Sequence, residues 1–172
     1  MGFSLKTVLL RLVQGFIIGA GGKSGMLCCY EAKKRAGVTG KVIGLCHSER
    51  STERLKKLGF CDVVFAADAT KPVPVMEKIE ELTGGKMCDI TINNVNIPDT
   101  EMTSVLCTKD DGIVYFFSMA TSFTKAALGA EGVGSDVTMI VGNGYTKGHA
   151  EITLQELREC EALRKIFTEL YA

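Results

Sequence analysis

The chain has 172 residues, enough for one domain, and its 46% apolar content suits a packed core. Twenty basic and twenty acidic side chains cancel, so no net field favours nucleic acid or an anionic membrane as a partner.

Residues 3–14 carry Leu5, Val8, Leu9, Leu12 and Val13 at helical spacing, although Thr7-Val8-Leu9-Leu10 equally suits an extended segment. Residues 1–14 are therefore a lead-in of unassigned structure, and 15–172 form the domain. Lys6 ahead of apolar residues imitates an export signal, but Arg11 and Gln14 interrupt the run, so export is rejected. No stretch is long and apolar enough to cross a bilayer. A short strand at 16–18 then enters the turn Gly19-Ala20-Gly21-Gly22-Lys23-Ser24-Gly25, followed by a helix from about 25 to 36 that Gly37 ends. Residues 41–45 are the second strand. Ser51 or Thr52 caps the next helix and Gly59 stops it, and 62–65 form the third strand.

Pro72 and Pro74 open a helix that stops at Gly84-Gly85. Residues 88–92 are the fourth strand, with Asn93-Asn94 at its C-terminal edge. A helix at 101–107 and a turn at Asp110-Asp111-Gly112 lead to the fifth strand, 113–117, which is apolar enough for burial on both faces. A short helix at 124–129, a sixth strand at 137–141 and a turn bracketed by Gly142, Gly144 and Gly148 follow. One amphipathic helix from about 149 to 170 closes the chain. Strands alternating with helices predict an α/β, Rossmann-like, doubly wound sheet of six parallel strands in the order 3-2-1-4-5-6.

The strand, glycine turn and helix at 16–36 match the place where such a sheet holds a dinucleotide. Gly19, Gly21 and Gly25, or Gly19, Gly22 and Gly25, let the backbone approach a pyrophosphate, and the helix start offers free N–H groups to it. Valine at Gly22 or Gly25 is expected to harm binding more than folding, with some cost in stability. Gly22-Lys23-Ser24 also resembles the end of a triphosphate-binding loop, but Ile17 stands where that loop needs its first glycine. The seven cysteines, at 28, 29, 46, 61, 88, 107 and 160, are odd in number and lack metal-ligand spacing. They read as reduced core thiols of a cytoplasmic protein, with no metal.

Ligands in this fold lie beyond the C-terminal strand ends. No acid follows the second strand to meet a ribose. Instead Cys46-His47-Ser48 ends it, so His47, Ser48 and Arg50 face the adenosine end, with Arg50 on a 2′-phosphate or in solvent. Lys23 lies against the pyrophosphate or points to solvent, beside Ser24. Asn94, within Asn93-Asn94-Val95-Asn96, and Thr121, within the hydroxyl-rich run 118–124, are placed at the nicotinamide half. The cofactor is NAD or NADP. Tyr145, Lys147 and His149 lack the spacing of a tyrosine–lysine pair, so no catalytic residue is assigned.

Four stretches carry a more specific resemblance: residues 19–25, 42–48, 114–123 and 141–150. They resemble the L-erythro-3,5-diaminohexanoate dehydrogenase family and, more widely, the nucleotide-binding domain of medium-chain dehydrogenases and quinone reductases. The resemblance implies a cytoplasmic, NAD(P)-dependent oxidative deamination in lysine fermentation, carried out by a homo-oligomer. Members of that superfamily place a catalytic domain before the nucleotide fold. The chain is thus expected to be the C-terminal portion of a dehydrogenase that binds cofactor but turns over poorly without an upstream-encoded catalytic domain. The alternatives are a non-catalytic dinucleotide-binding module and one subunit of a split dehydrogenase.

Overall fold

The computed structural model of the chain describes residues 14–142 and 146–172. The lead-in of 1–14, apart from Gln14, and residues 143–145, with Gly144 and Tyr145 among them, lie outside the described residues. Six parallel strands form one sheet in the order β3-β2-β1-β4-β5-β6. They are β1 (Gln14–Ile18), β2 (Lys41–Cys46), β3 (Val63–Ala66), β4 (Cys88–Asn93), β5 (Thr108–Phe116) and β6 (Val137–Val141). Helices α1 (Lys23–Ala36), α2 (Glu49–Leu58), α3 (Pro72–Thr83), α4 (Glu101–Leu106) and α5 (Phe123–Val133) connect them, and α6 (His149–Glu159) and α7 (Glu161–Tyr171) follow β6. The expected strand order and parallel pairing are both present.

Side chains on successive strand residues point to opposite faces, which divides the core. Ile17 and Val42 join Met26, Cys29 and Ala32 of α1, Leu55 of α2 and Leu163 of α7. Their neighbours Phe16, Ile18, Ile43 and Leu45 pack instead with Val75 and Ile79 of α3. Farther along, Val114 and Phe116 meet Ala126 of α5. Covered on both faces, the central strands can be apolar almost throughout.

Four local expectations need correction. Ser48, rather than Ser51 or Thr52, caps α2: its Oγ accepts from the Ser51 N–H at 3.3 Å, while Ser51 Oγ donates to the Ser48 carbonyl at 2.8 Å. The Asp110-Asp111-Gly112 turn is an excursion inside β5. Cys88 pairs with Thr108 and Ile90 with Ile113, so the longer strand accommodates extra residues there, and Asp111 takes φ 60°. The short helix of 124–129 runs over Phe123–Val133, because Ser122 caps it and Gly134 ends it in the left-handed conformation. The long closing helix is two helices, broken where Cys160 adopts extended angles of −116° and 102°.

Candidate dinucleotide site

The ends of β1, β2 and β4 lie level, with Ile18 opposite both Leu45 and Asn93. Chain order reverses at β1, since β2 lies on one side and β4 on the other, and this is the switch point where doubly wound sheets bind ligands. The turn after β1 is folded tightly there. The N–H groups of Gly19 and Ala20 both donate to the Leu45 carbonyl, at 3.0 and 2.9 Å, and Gly22 N–H donates to Gly19 O at 3.1 Å.

Two glycines are required for this path. Gly19 has φ +77°, which side chains disfavour, and a Cβ there would lie 2.7 Å from Val95 Cγ1. A Cβ on Gly25 would sit 2.1 Å from the Gly19 carbonyl oxygen. The clash is with the turn's own backbone, so a side chain at Gly25 strains the fold of the turn, the stability cost that the sequence reading allowed for. Gly22 differs: its nearest neighbour would be 3.5 Å away, an ordinary contact. Gly21, the alternative to Gly22 in the expected spacing, is the tighter position, with Ser51 Cβ at 2.8 Å.

Gly22 is the N-cap of α1; no side chain caps it and no acid lies in the first turn. The first N–H groups of a helix have no partner within it, so this end presents uncompensated donors and a positive dipole to an anion. The turn borders a cleft of about 520 Å³. Leu45, Ala67, Ala69, Val95 and Ile97 give it apolar walls, while His47, Ser51, Asn94 and Asn96 add polar groups.

Of the sequence-predicted residues, Gly19, Gly22, His47 and Asn94 border this cleft, and Gly25 supports its turn. Ser48 and Arg50 are exposed at the start of α2, with the Ser48 hydroxyl engaged in the cap. Lys23 and Ser24 face elsewhere. Lys23 Nζ lies 4.3 Å from the ring centre of Tyr171, and Ser24 borders a second cavity. Thr121 sits in the loop after β5, its N–H on Ser118 O at 3.4 Å. His149 opens α6, with Nδ1 2.7 Å from the Thr146 carbonyl.

Sequence reasoning missed Arg54, whose Nη2 donates to Gly21 O at 2.7 Å and braces the turn from α2. It also missed the anchor of the Asn94 loop. Asn93 is buried; its Nδ2 donates to Thr100 Oγ1 at 2.8 Å and Ser104 Oγ at 2.9 Å, and its Oδ1 accepts from Val95 N–H at 3.1 Å. Only the doubled asparagine at a strand end could have signalled it.

Burial disfavours the thiolate at the five buried cysteines. Burial pushes Cys28 and Cys88 up to about 12 and also raises Cys29, Cys46 and Cys107. Among the described residues, no group of three His, Cys, Asp or Glu is placed to hold a metal ion.

Comparison with known proteins agrees with this architecture. L-erythro-3,5-diaminohexanoate dehydrogenases of Acetoanaerobium sticklandii and Fusobacterium nucleatum subsp. nucleatum are 60% and 56% identical to the chain over 155 residues. That alignment covers 90% of this chain but 45% of each relative, so the chain spans less than half their length. A mycobacterial quinone oxidoreductase superposes with a TM-score of 0.69 at 16% identity, covering 94% of this chain and 54% of that one. Residues 25–151 match the zinc-binding dehydrogenase family. With that match over most of its length, the chain belongs to the zinc-binding dehydrogenase family, although its described residues include no ligand set that fits zinc.

Proposed function

We propose that the chain is the nicotinamide-dinucleotide-binding part of a dehydrogenase that oxidatively deaminates a diamino acid, as in lysine fermentation. The observation that carries this reading is the cleft at the switch point, where an uncapped helix start free of acids adjoins an apolar slot. The N–H groups at the start of α1 are assigned to the pyrophosphate, and the walls around Val95, Ile97 and Ala69 to the adenine. His47, Ser48 and Arg50 are assigned to the adenosine ribose and any 2′-phosphate, and Asn94 and Thr121 to the nicotinamide half. The bound cofactor supplies the hydride acceptor; the protein supplies its orientation. A homo-oligomer in the cytoplasm is part of the same proposal. So is a catalytic domain, on this or another polypeptide, that completes the substrate cleft.

Titration calorimetry of the 172-residue chain with NAD and NADP tests the reading. Saturable binding of at least one is expected. Arg50→Ala should weaken NADP more than NAD by about 1–3 kcal/mol, the range of a charge-assisted hydrogen bond. Absence of binding by both cofactors would overturn the assignment, and equal losses in the variant would remove Arg50 from the 2′-phosphate.

A further inference from the structure

A second cavity, of about 210 Å³, lies between the start of α1, the residue after β5, and α6. Leu27, Phe117 and Ile152 give it apolar walls, and Ser24, Thr146, Thr153, Glu156 and the imidazole-bearing His149 border the same space. Glu156 is 4% exposed, and its buried Oε2 has no hydrogen-bond partner. A carboxyl so placed needs either a proton or a cation, because a bare buried charge is costly. Burial, reinforced by the nearby Glu31, pushes it up to about 8.

Lys34 and Arg35, the two cations whose charges act on Glu156, are already paired with other acids. Glu156 also borders a neighbouring cavity with Glu31, Lys34 and Arg35. There Arg35 pairs with Glu31 at 2.5 Å, and Lys34 lies 3.6 Å from Glu31 while also pairing with Glu159. Those two positive charges are shared among three other contacts with acids.

We infer that this cavity receives the primary ammonium group of the amino-acid substrate, with the Glu156 carboxylate as its counter-charge. The inference rests on the dehydrogenase reading above. An ammonium donates three hydrogen bonds, and Ser24 and Thr153, which line the same cavity as Glu156, carry hydroxyl oxygens able to accept them. The apolar walls suit a short carbon chain, and the space is below the range typical of drug-sized ligands. A bare metal cation would instead require several oxygen ligands.

The cavity also adjoins the dinucleotide cleft. Cys28 borders the cavity and donates its thiol to Asn94 Oδ1 at 3.7 Å, while Asn94 borders the cleft. The two spaces are therefore neighbours, with the Cys28 and Asn94 side chains between them. Entry of the ammonium ionises Glu156. The carboxylic acid loses its proton to solvent, and the substrate nitrogen keeps all three of its own.

Calorimetry with 3,5-diaminohexanoate at pH 7 provides the test. Saturating NADH is present, since the reduced cofactor cannot accept hydride. Repeating the titration in buffers of different ionisation enthalpy counts released protons. Wild type should bind the diamino acid saturably and release about one proton. Glu156→Gln should bind it at least ~10-fold more weakly, release none, and hold NADH as wild type does. Equal affinity in the variant, or wild-type binding without proton release, would overturn the inference. So would wild type that holds NADH but ignores the diamino acid, which leaves the dinucleotide reading intact. Failure to hold NADH would strike the proposed function itself.

Discussion

The two halves of the sheet hold the loops that border the cleft by different means. Around β1 and β2 the loop is set by backbone. Gly19 and Ala20 hang from one carbonyl, and Gly25 packs with no room for a side chain. Around β4 and β5 the loop is set by buried side chains. Asn93 joins Thr100, Ser104 and Val95, while Thr108 Oγ1 donates to Thr91 Oγ1 at 2.7 Å. The first half excludes atoms; the second must satisfy them. The first is therefore broken by addition and the second by deletion.

The largest effect is expected from adding atoms at Gly25. Gly25→Val drives its Cβ into the Gly19 carbonyl, and should cost about 3 kcal/mol of stability together with dinucleotide binding. Denaturant unfolding checks the first and calorimetry the second. Next comes deletion in the other half. Asn93→Ala strands two hydroxyls and the Val95 N–H, and should cost about 2 kcal/mol by the same unfolding measurement. Weaker cofactor binding should accompany it, because the 94–97 loop borders the cleft.

A smaller effect separates the regions by pH. Glu156 has its pKa raised to about 8, so its neutral form favours the folded state. That contribution is complete below the ordinary carboxylate range and is lost as pH rises through about 8. Thermal midpoints should therefore fall from pH 5 to pH 9 more steeply in wild type than in Glu156→Gln. The divergence should be about 2–4 °C for each kcal/mol involved. The smallest effect belongs to Gly22→Ala. Its φ of −85° and open surroundings predict a stability change below about 0.5 kcal/mol. Any larger loss of dinucleotide affinity in that variant would report contact with the ligand, separate from the fold.

The same contrast explains what the sequence revealed. Strand order was legible because apolar runs alternate with capped, glycine-ended helices, and Gly59 and Gly84 both take the left-handed conformation at helix ends. The glycine turn was legible because few residue types tolerate its geometry. The steric hierarchy within it was hidden, since only packing distinguishes crowded Gly21 from open Gly22. Arg54 was hidden too: one helical turn beyond Arg50, it looks like another surface cation until α2 is laid beside the turn. Asn93, Thr100 and Ser104 have the composition of a loop, and burial alone turns them into an anchor. The break at Cys160 had no glycine or proline to announce it.

The cysteines described above also make the molecule a gauge of its own breathing. Five of the seven are buried, while Cys61 and Cys160 are partly accessible. Alkylation requires thiolate and access together, and the five buried sites lack access while the sheet stays closed. Which sulfurs acquire a label, and in what sequence, then traces how opening spreads from the helical exterior toward Cys28 beside the ligand sites.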